Sequence, residues 1–264
     1  MAEYNEITTD RGREPVMVEE PLTLRIDGAT FNLVRTPGCE SELAMGFCLS
    51  EGIIASLKDV LSLTYTERGD VTERNTIDVR LADDVAVDRS RLTRAVNIRA
   101  SCSLCGREMI DDIVARGHAW EQTPPAQPPR IKVKRTALAK LPPLMRKNRP
   151  LFEKTSAAHA AAAFTADGRL LVCREDIGRH NALDKAIGHL LMEKIDITET
   201  ILLLSGQVSY ELMAKAYHAG SYVVTSLAAP TSLAVTLAEK AGLTLIGLLA
   251  AKNMTIYAHP ERVA

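Results

Sequence analysis

The chain has 264 residues, 32 Lys and Arg against 33 Asp and Glu, a net charge of −1 and 46% hydrophobic residues. This length can form one large domain or two small ones, and the composition is that of an ordinary globular protein. Near-zero net charge argues against a general nucleic-acid binder. No apolar run approaches the roughly 18 residues that would span a bilayer, and the N-terminus is polar, so we expect no membrane partner and a cytoplasmic location.

The first part of the chain is predicted to contain short strands and two helices. The predicted strands cover 16–18, 22–26, 30–34, 60–66, 75–81 and 94–100. Asp27-Gly28 is typical of a tight turn between two of these strands. One helix is predicted over 40–54, and another runs from Leu104 to Gly117, which would end it.

Prolines divide the chain into two parts. The stretch from Thr123 to Arg130 has four prolines in eight residues, which predicts a linker, and Leu141-Pro142-Pro143 is interpreted as a second break. We therefore expect an N-terminal α+β portion over 15–122 and an α/β domain over 130–264.

The second part alternates strands with helices more regularly. Its predicted strands cover 159–165, 169–174, 202–204, 222–226 and 243–249, with 254–257 as an edge strand. Its predicted helices cover 181–193, 210–219 and 232–241. Asp167-Gly168 indicates a hairpin. This alternation predicts a mixed α/β fold in which helices cover a central sheet.

Small and polar residues stand at three predicted strand-to-helix junctions. These junctions are 175–181, 205–209 and 229–232. Ligands collect at such strand ends, where helix N-termini favour phosphates. Arg179 could bind a phosphate, and Gly178 and Gly206, with Ser205 beside it, would let a ligand approach the backbone.

A simpler interpretation of the same junctions is helix capping. Asn181, Ser209 and Thr231 are residue types that cap helix N-termini. His180 is open to two readings as well, since it could contact a ligand or donate a proton, or be a structural histidine.

Five cysteines without an export signal do not indicate a disulfide framework. Cys39, Cys48 and Cys173 are interpreted as small buried hydrophobic residues. Cys102 and Cys105 form a Cys-x-x-Cys pair between a predicted strand and a predicted helix. A helix N-terminus and the following arginine would favour a thiolate there, which can accept sulfur and carry it as a persulfide.

Three other chemistries compete for this cysteine pair. A structural zinc site needs about four ligands, and no second Cys-x-x-Cys or close histidine pair supplies them. A thioredoxin-like pair needs its own βαβ context. A zinc deaminase needs His-x-Glu and Pro-Cys-x-x-Cys, whereas Cys102 follows Ser101. Sulfur or redox chemistry is therefore favoured over zinc, and no metal site is predicted.

Taken together, these motifs resemble the FdhD family of formate dehydrogenase accessory proteins, over about residues 15–262. The matching stretches are 36–38, 42–47, 50–54, 101–106, 175–185 and 229–234. The resemblance implies a sulfurtransferase that takes sulfur from a cysteine desulfurase. It would pass this sulfur to the molybdenum bis(molybdopterin guanine dinucleotide) cofactor before that cofactor enters formate dehydrogenase. It also implies a C-terminal sheet similar to that of cytidine deaminase, and a homodimer.

Residue roles follow from the same resemblance. The family's first motif cysteine falls on Cys102, as persulfide carrier, and the second on Cys105, as helper. The cofactor-contacting segment of the family falls on residues at the C-terminal end, namely Leu248, Leu249, Ala250, Ala251, Lys252 and Asn253.

The chain departs from the family pattern at three places. Thr-Gly-Gly-x-His becomes residues 155–159, in which Ser156 and Ala157 replace the glycines. An arginine is replaced by Gln207, and another by Ala250. These losses predict weaker phosphate and guanine binding, whereas the cysteine pair is intact. The alternative function is a non-catalytic chaperone that binds the cofactor or its client enzyme without moving sulfur.

Overall fold

The computed structural model describes residues 2–65, 75–83, 85 and 131–264. Several predictions lie outside these residues, namely the strand over 94–100, the helix from Leu104, the linker over 123–130, and Cys102 and Cys105. They stay predictions, as do the domain boundaries at 122 and 130.

The described strands are β1 (Tyr4–Thr9), β2 (Gly12–Met17), β3 (Glu20–Ile26), β4 (Ala29–Arg35), β5 (Val60–Tyr65), β6 (Thr76–Leu81), β7 (His159–Thr165), β8 (Leu170–Asp176), β9 (Thr200–Leu204), β10 (Val223–Ser226), β11 (Thr244–Ala250) and β12 (Asn253–Ala258). They form three sheets, with orders β1-β2, β4-β3-β6-β5 and β8-β7-β9-β10-β11-β12. The described helices are α1 (Glu40–Ser50), α2 (Arg135–Leu138), α3 (Leu141–Lys147), α4 (Pro150–Thr155), α5 (Arg179–Met192), α6 (Tyr210–His218) and α7 (Ser232–Ala241).

The six-stranded sheet separates two apolar clusters, because successive residues of a strand point to opposite faces. Ala161 and Ala163 of β7 face α5, α6 and α7, beyond which lie α1 and the four-stranded sheet. Ala160 and Phe164 face the other way, toward α2 and α3. The mixed α and β architecture predicted from the sequence is confirmed, and no helix in the described ranges is long and apolar enough to cross a membrane.

Most predicted elements are confirmed with shifts of one to four residues at their ends. β7 and α7 have the predicted bounds. β12 is an edge strand as predicted. Asp27 and Gly28 both have positive φ, at 43° and 85°, as a tight hairpin between twisted strands requires. β1 was not predicted, because its residues are almost all exposed and lack a buried face.

Two interpretations of the sequence are wrong. Leu141-Pro142-Pro143 does not break the chain but begins α3, because proline is tolerated in the first helical turn, where its missing N–H needs no partner. Cys39 is exposed rather than buried, and it stands in a left-handed conformation just before α1. Cys48 is buried as predicted, and Cys173 is half-buried.

Candidate functional site

All three predicted junctions lie at one edge of the six-stranded sheet. β9, β10 and β11 are parallel, so the segments that follow them leave at the same edge. β7 runs the opposite way, and therefore it begins there, with His159 paired to Asp176 at the end of β8. The structure thus brings together the segments that the sequence marked as a candidate ligand site.

Asp176 organises the first junction from a fully buried position. Its Oδ2 lies 2.7 Å from Lys185 Nζ and accepts a hydrogen bond from the Thr36 N–H at 3.2 Å. Its Oδ1 accepts from the Gly178 N–H at 2.8 Å. This carboxylate fixes the turn into α5 and joins it to the loop that follows β4, so its role is structural.

Asn181 is not the cap of α5. The helix begins after Gly178, which makes no side-chain capping bond, and Asn181 lies inside the first turn. Its buried amide donates to Val34 O at 2.7 Å and to Asp176 Oδ1 at 3.0 Å. The expected caps Ser209 and Thr231 are confirmed, because their hydroxyls accept from the third N–H that follows.

Arg179 and His180 open α5 at the sheet edge. Arg179 is exposed, so its guanidinium can meet a ligand. His180 Nε2 lies 2.9 Å from Glu211 Oε2, at the start of α6. The close approach of His180 lowers the pKa of Glu211. His180 therefore joins two junctions.

The second junction is held against β7. The Ser205 hydroxyl accepts from the Ala160 N–H at 2.8 Å, and the Ser205 N–H donates to Ala160 O at 2.9 Å. A Cβ built on Gly206 would lie 3.4 Å from His159 Nδ1. The absence of a side chain at Gly206 thus leaves the His159 ring bordering the junction.

His159 contributes a neutral imidazole to this edge. Burial lowers its pKa, and the nearby guanidinium groups of Arg179 and Arg149 lower it further. A neutral ring can donate from one nitrogen and accept at the other. His159 was predicted to begin a strand and to end a family motif, but its placement beside Arg179 was not predicted.

Arg149 is a second cation that sequence reasoning missed. Its Nη2 donates to Ala158 O at 2.6 Å, and its guanidinium lies 3.9 Å from the centroid of the Phe152 ring. Burial lowers its pKa, and Glu175 opposes this effect from 3.8 Å. No local signal marks Arg149, because its neighbours come from the end of β8 and the start of β7.

Hydrogen bonds link the second junction to the third. The Ser226 hydroxyl donates to Gly206 O at 2.6 Å and accepts from the Ala228 N–H at 3.0 Å. Ala228 O accepts from the Leu248 N–H at 3.2 Å. The segment assigned to the cofactor is therefore tied to the same edge.

That C-terminal segment, 248–253, ends β11 and turns into β12. Leu248 has a positive φ of 52° and is 45% exposed. Ala250, Ala251, Lys252 and Asn253 are exposed as well. Leu249 is different, because its side chain is buried in the core on the α2 and α3 face, so only its backbone can contact a ligand.

The edge suits a ligand that carries phosphate. Arg179 supplies an exposed guanidinium, which binds phosphate with a fork of donors, and Gly206 leaves room beside His159. In the described part of the chain, no group of three His, Cys, Asp or Glu side chains is arranged to hold a metal ion. The exposed guanidinium of Arg179 therefore favours binding of an anionic group at this edge.

Comparisons with known proteins agree on one family. The model of the FdhD/NarQ family matches residues 17–264. The sulfur carrier protein FdhD of Streptomyces coelicolor is 40% identical over 256 residues, which are 95% of this chain and 89% of that protein. The protein of the same name from Saccharolobus solfataricus is 38% identical over 94% of this chain and 90% of its own length.

A solved structure shares the fold. It is that of a candidate formate dehydrogenase accessory protein from Desulfotalea psychrophila, and it superposes with a TM-score of 0.72 at 20% identity. The match covers 99% of this chain and 97% of the other. The family match and the identities near 40% over almost the whole chain show that this chain belongs to the FdhD/NarQ family.

Proposed function

We propose that the chain is a sulfur carrier that serves formate dehydrogenase, as the names of its relatives indicate. In this proposal, Cys102 accepts sulfur from a cysteine desulfurase and delivers it to the molybdenum bis(molybdopterin guanine dinucleotide) cofactor. The observation that carries the proposal is the assembly of three junctions, Arg179 and the 248–253 segment at one sheet edge. A homodimer in the cytoplasm is part of the same proposal.

The described cysteines support the choice of Cys102. Burial raises the pKa of Cys48 and of Cys173 to about 12, so both thiols stay protonated at neutral pH. Desolvation and the Glu42 carboxylate raise the pKa of Cys39. Because the thiolate is the reactive form, none of these three environments favours sulfur transfer.

Sulfur loading would proceed by exchange between a thiolate and a persulfide. The Cys102 thiolate attacks the terminal sulfur of the desulfurase persulfide, the old S–S bond breaks, and the desulfurase thiolate leaves. Cys102 then carries the persulfide with no net oxidation. Cys105 would assist release of the sulfur. Its thiolate attacks Cys102 Sγ, and the outer sulfur leaves as sulfide. The resulting disulfide between Cys102 and Cys105 must then be reduced by a dithiol.

The sheet edge would bind the cofactor as a substrate. Arg179 would pair with a phosphate of the guanine dinucleotide, and the backbone near Gly206 would approach it. The exposed residues of the 248–253 segment would contact the rest of the cofactor. His159, being neutral, would add a hydrogen bond without further charge.

Mass spectrometry after incubation with a cysteine desulfurase and cysteine tests the carrier. We expect one added sulfur on wild type, none on Cys102→Ala, and full loading of Cys39→Ala, whose thiol is the exposed one among the described cysteines. Equal loading of wild type and Cys102→Ala, or loading of neither, would reject the carrier in favour of the chaperone that binds without moving sulfur.

A further inference from the structure

The segment that leads into β7 is strongly basic, although the whole chain is nearly neutral. Residues 131–155 contain eight lysines and arginines and one glutamate, for a net charge of +7, whereas the chain carries −1. Seven of these cations are exposed, and five of them define what we call the basic surface: Lys134, Arg135, Lys140, Arg146 and Lys147.

The fold presents this charge to the outside. The apolar residues of the segment, such as Val133, Leu138 and Met145, are fully buried against the six-stranded sheet. Their burial holds α2 and α3 in place without help from the cations. The basic side chains therefore stand on the outer side of this helical layer, where they are not needed for packing.

Within the described residues, no carboxylate side chain forms an ion pair with the five cations of the basic surface. Arg149, which is the next cation along the chain, in contrast lies 3.8 Å from the Glu175 carboxylate. Like charges that gather on one face repel one another and create a positive potential over it. Such a face attracts an anionic partner and accelerates its encounter.

The basic surface runs from the hairpin between β7 and β8, where Gly168 closely approaches Ala137 of α2, toward the candidate site. α4 follows it and ends at Thr155, and Arg149 binds Ala158 O, directly before His159. A macromolecule docked along the length of the basic surface would therefore reach the edge where Arg179 and Gly206 stand. This position suits the protein that exchanges material with the site.

The composition of the surface favours a protein over a nucleic acid. Surfaces that bind single-stranded nucleic acid interleave cations with aromatic rings on which bases stack. Residues 131–155 contain one aromatic residue, Phe152. The Arg149 guanidinium lies 3.9 Å from the centroid of its ring and covers one face. The outer side of short helices also offers separate point charges, which suit carboxylates on a folded protein.

We propose that the basic surface docks an acidic face of the client enzyme, formate dehydrogenase. The choice of this enzyme rests on the proposed function, whereas the requirement for an acidic protein face rests on the charge distribution alone. Docking there would place the client against the sheet edge.

Biolayer interferometry with purified formate dehydrogenase from the same organism tests the proposal. The variant is Lys134→Glu combined with Lys140→Glu, because both positions precede helices, where an acid is tolerated. We expect its association rate to fall about tenfold, with little change in dissociation, and the wild-type rate to fall as salt is raised. The control, Lys58→Glu combined with Lys194→Glu, makes the same charge change at exposed lysines elsewhere and should stay within about twofold.

Each other outcome overturns the proposal. Equal effects of the two double variants would show that net charge, not the surface, matters, and absence of binding by wild type would reject this partner. Surface-dependent binding of the cysteine desulfurase or of a DNA duplex, without binding of formate dehydrogenase, would assign the surface to those molecules. Cys102→Ala should dock like wild type, so that failure of sulfur loading and failure of docking are distinguished.

Discussion

Gly46 of α1 and Gly188 of α5 form the crossing point of the two helices. A Cβ on Gly46 would lie 1.8 Å from Asp184 O, and a Cβ on Gly188 would lie 1.8 Å from Glu42 O. Backbone therefore touches backbone at this crossing. The contact joins α1, from the first part of the chain, to the helix that opens the candidate site.

Replacement of either glycine by alanine should destabilise the protein. In an open helix Gly→Ala stabilises by about 0.5–1 kcal/mol, whereas overpacking typically costs about 1–3 kcal/mol. We expect Gly46→Ala and Gly188→Ala each to lower the free energy of unfolding, measured with urea. Gly206→Ala is the control, because its Cβ would meet His159 Nδ1 at a normal 3.4 Å. A gain in stability at either crossing glycine would contradict the close approach.

Lys215 links α6 to α1 and α5 through a buried ion pair. Its Nζ lies 2.9 Å from Asp184 Oδ2 and 2.6 Å from Glu51 Oε1. Burial alone would lower the pKa of Lys215, but the carboxylates of Asp184 and Glu51 raise it, so the ammonium stays charged.

Removing one partner of this ion pair should destabilise the protein. We expect Asp184→Asn to lower the free energy of unfolding by about 3–5 kcal/mol, because it leaves the buried ammonium less compensated. Arg25→Gln should cost at most about 1 kcal/mol, since Arg25 pairs with Asp78 at 3.7 Å near the surface. Chemical denaturation of both variants checks this, and similar losses would argue against a buried charge at Lys215.

Glu42 should make the stability depend on pH in the acid range. Its Oε1 lies 2.7 Å from Arg174 Nη2 and 3.0 Å from His189 Nδ1. Burial alone would raise the pKa of Glu42, but the hydrogen bonds from Arg174 and His189 lower it below its usual value. The stabilisation from ionised Glu42 is thus complete above the unfolded pKa of about 4.3 and is lost as the pH falls through the lower, folded pKa.

Comparison of wild type with Glu42→Gln measures this stabilisation. We expect the difference in free energy of unfolding to be constant from pH 7 to about 5 and to shrink below about 4.3. The same pair of measurements in a His189→Gln background isolates the contribution of the contact between Glu42 and Arg174. A difference that persists unchanged at the lowest pH would exclude a lowered pKa for Glu42.

Arg179 should contribute to nucleotide affinity. With GDP as the probe in isothermal titration calorimetry, we expect Arg179→Ala to weaken binding about tenfold, as loss of a charge-assisted contact worth about 1.5 kcal/mol predicts. Arg169→Ala is the control, because Arg169 is exposed at the hairpin between β7 and β8, at the other end of these strands. Unchanged affinity in Arg179→Ala would remove Arg179 from the site.

Local patterns in the sequence were sufficient to predict most helices and strands. β7 and α7 were predicted with their bounds, because alternating and helical periodicities together with turn and cap residues act over neighbouring positions. The meeting of three junctions at one edge also follows from the sequence, since parallel strands end on the same side. Alternation with helices predicts such strands.

These local patterns do not predict contacts between residues that are distant in the sequence. Asn181 has the residue type of a cap, yet its amide binds Val34 O, which is 147 positions away. Arg149 and His159 became part of the edge only through the pairing of β7 with β8. Cys39 has the apolar and helix-forming sequence neighbours of a buried residue but is exposed in the structure.

The sequence by itself determined the alternating elements, the motif cysteines, the family resemblance and the cluster of basic residues before β7, because these are properties of neighbouring residues. Only the tertiary structure decided that Gly46 meets Gly188, that Asp176 and Asn181 are structural, and that the basic residues face outward. The physical reason is that burial, close approach and charge pairing depend on atoms which the fold brings together from distant positions.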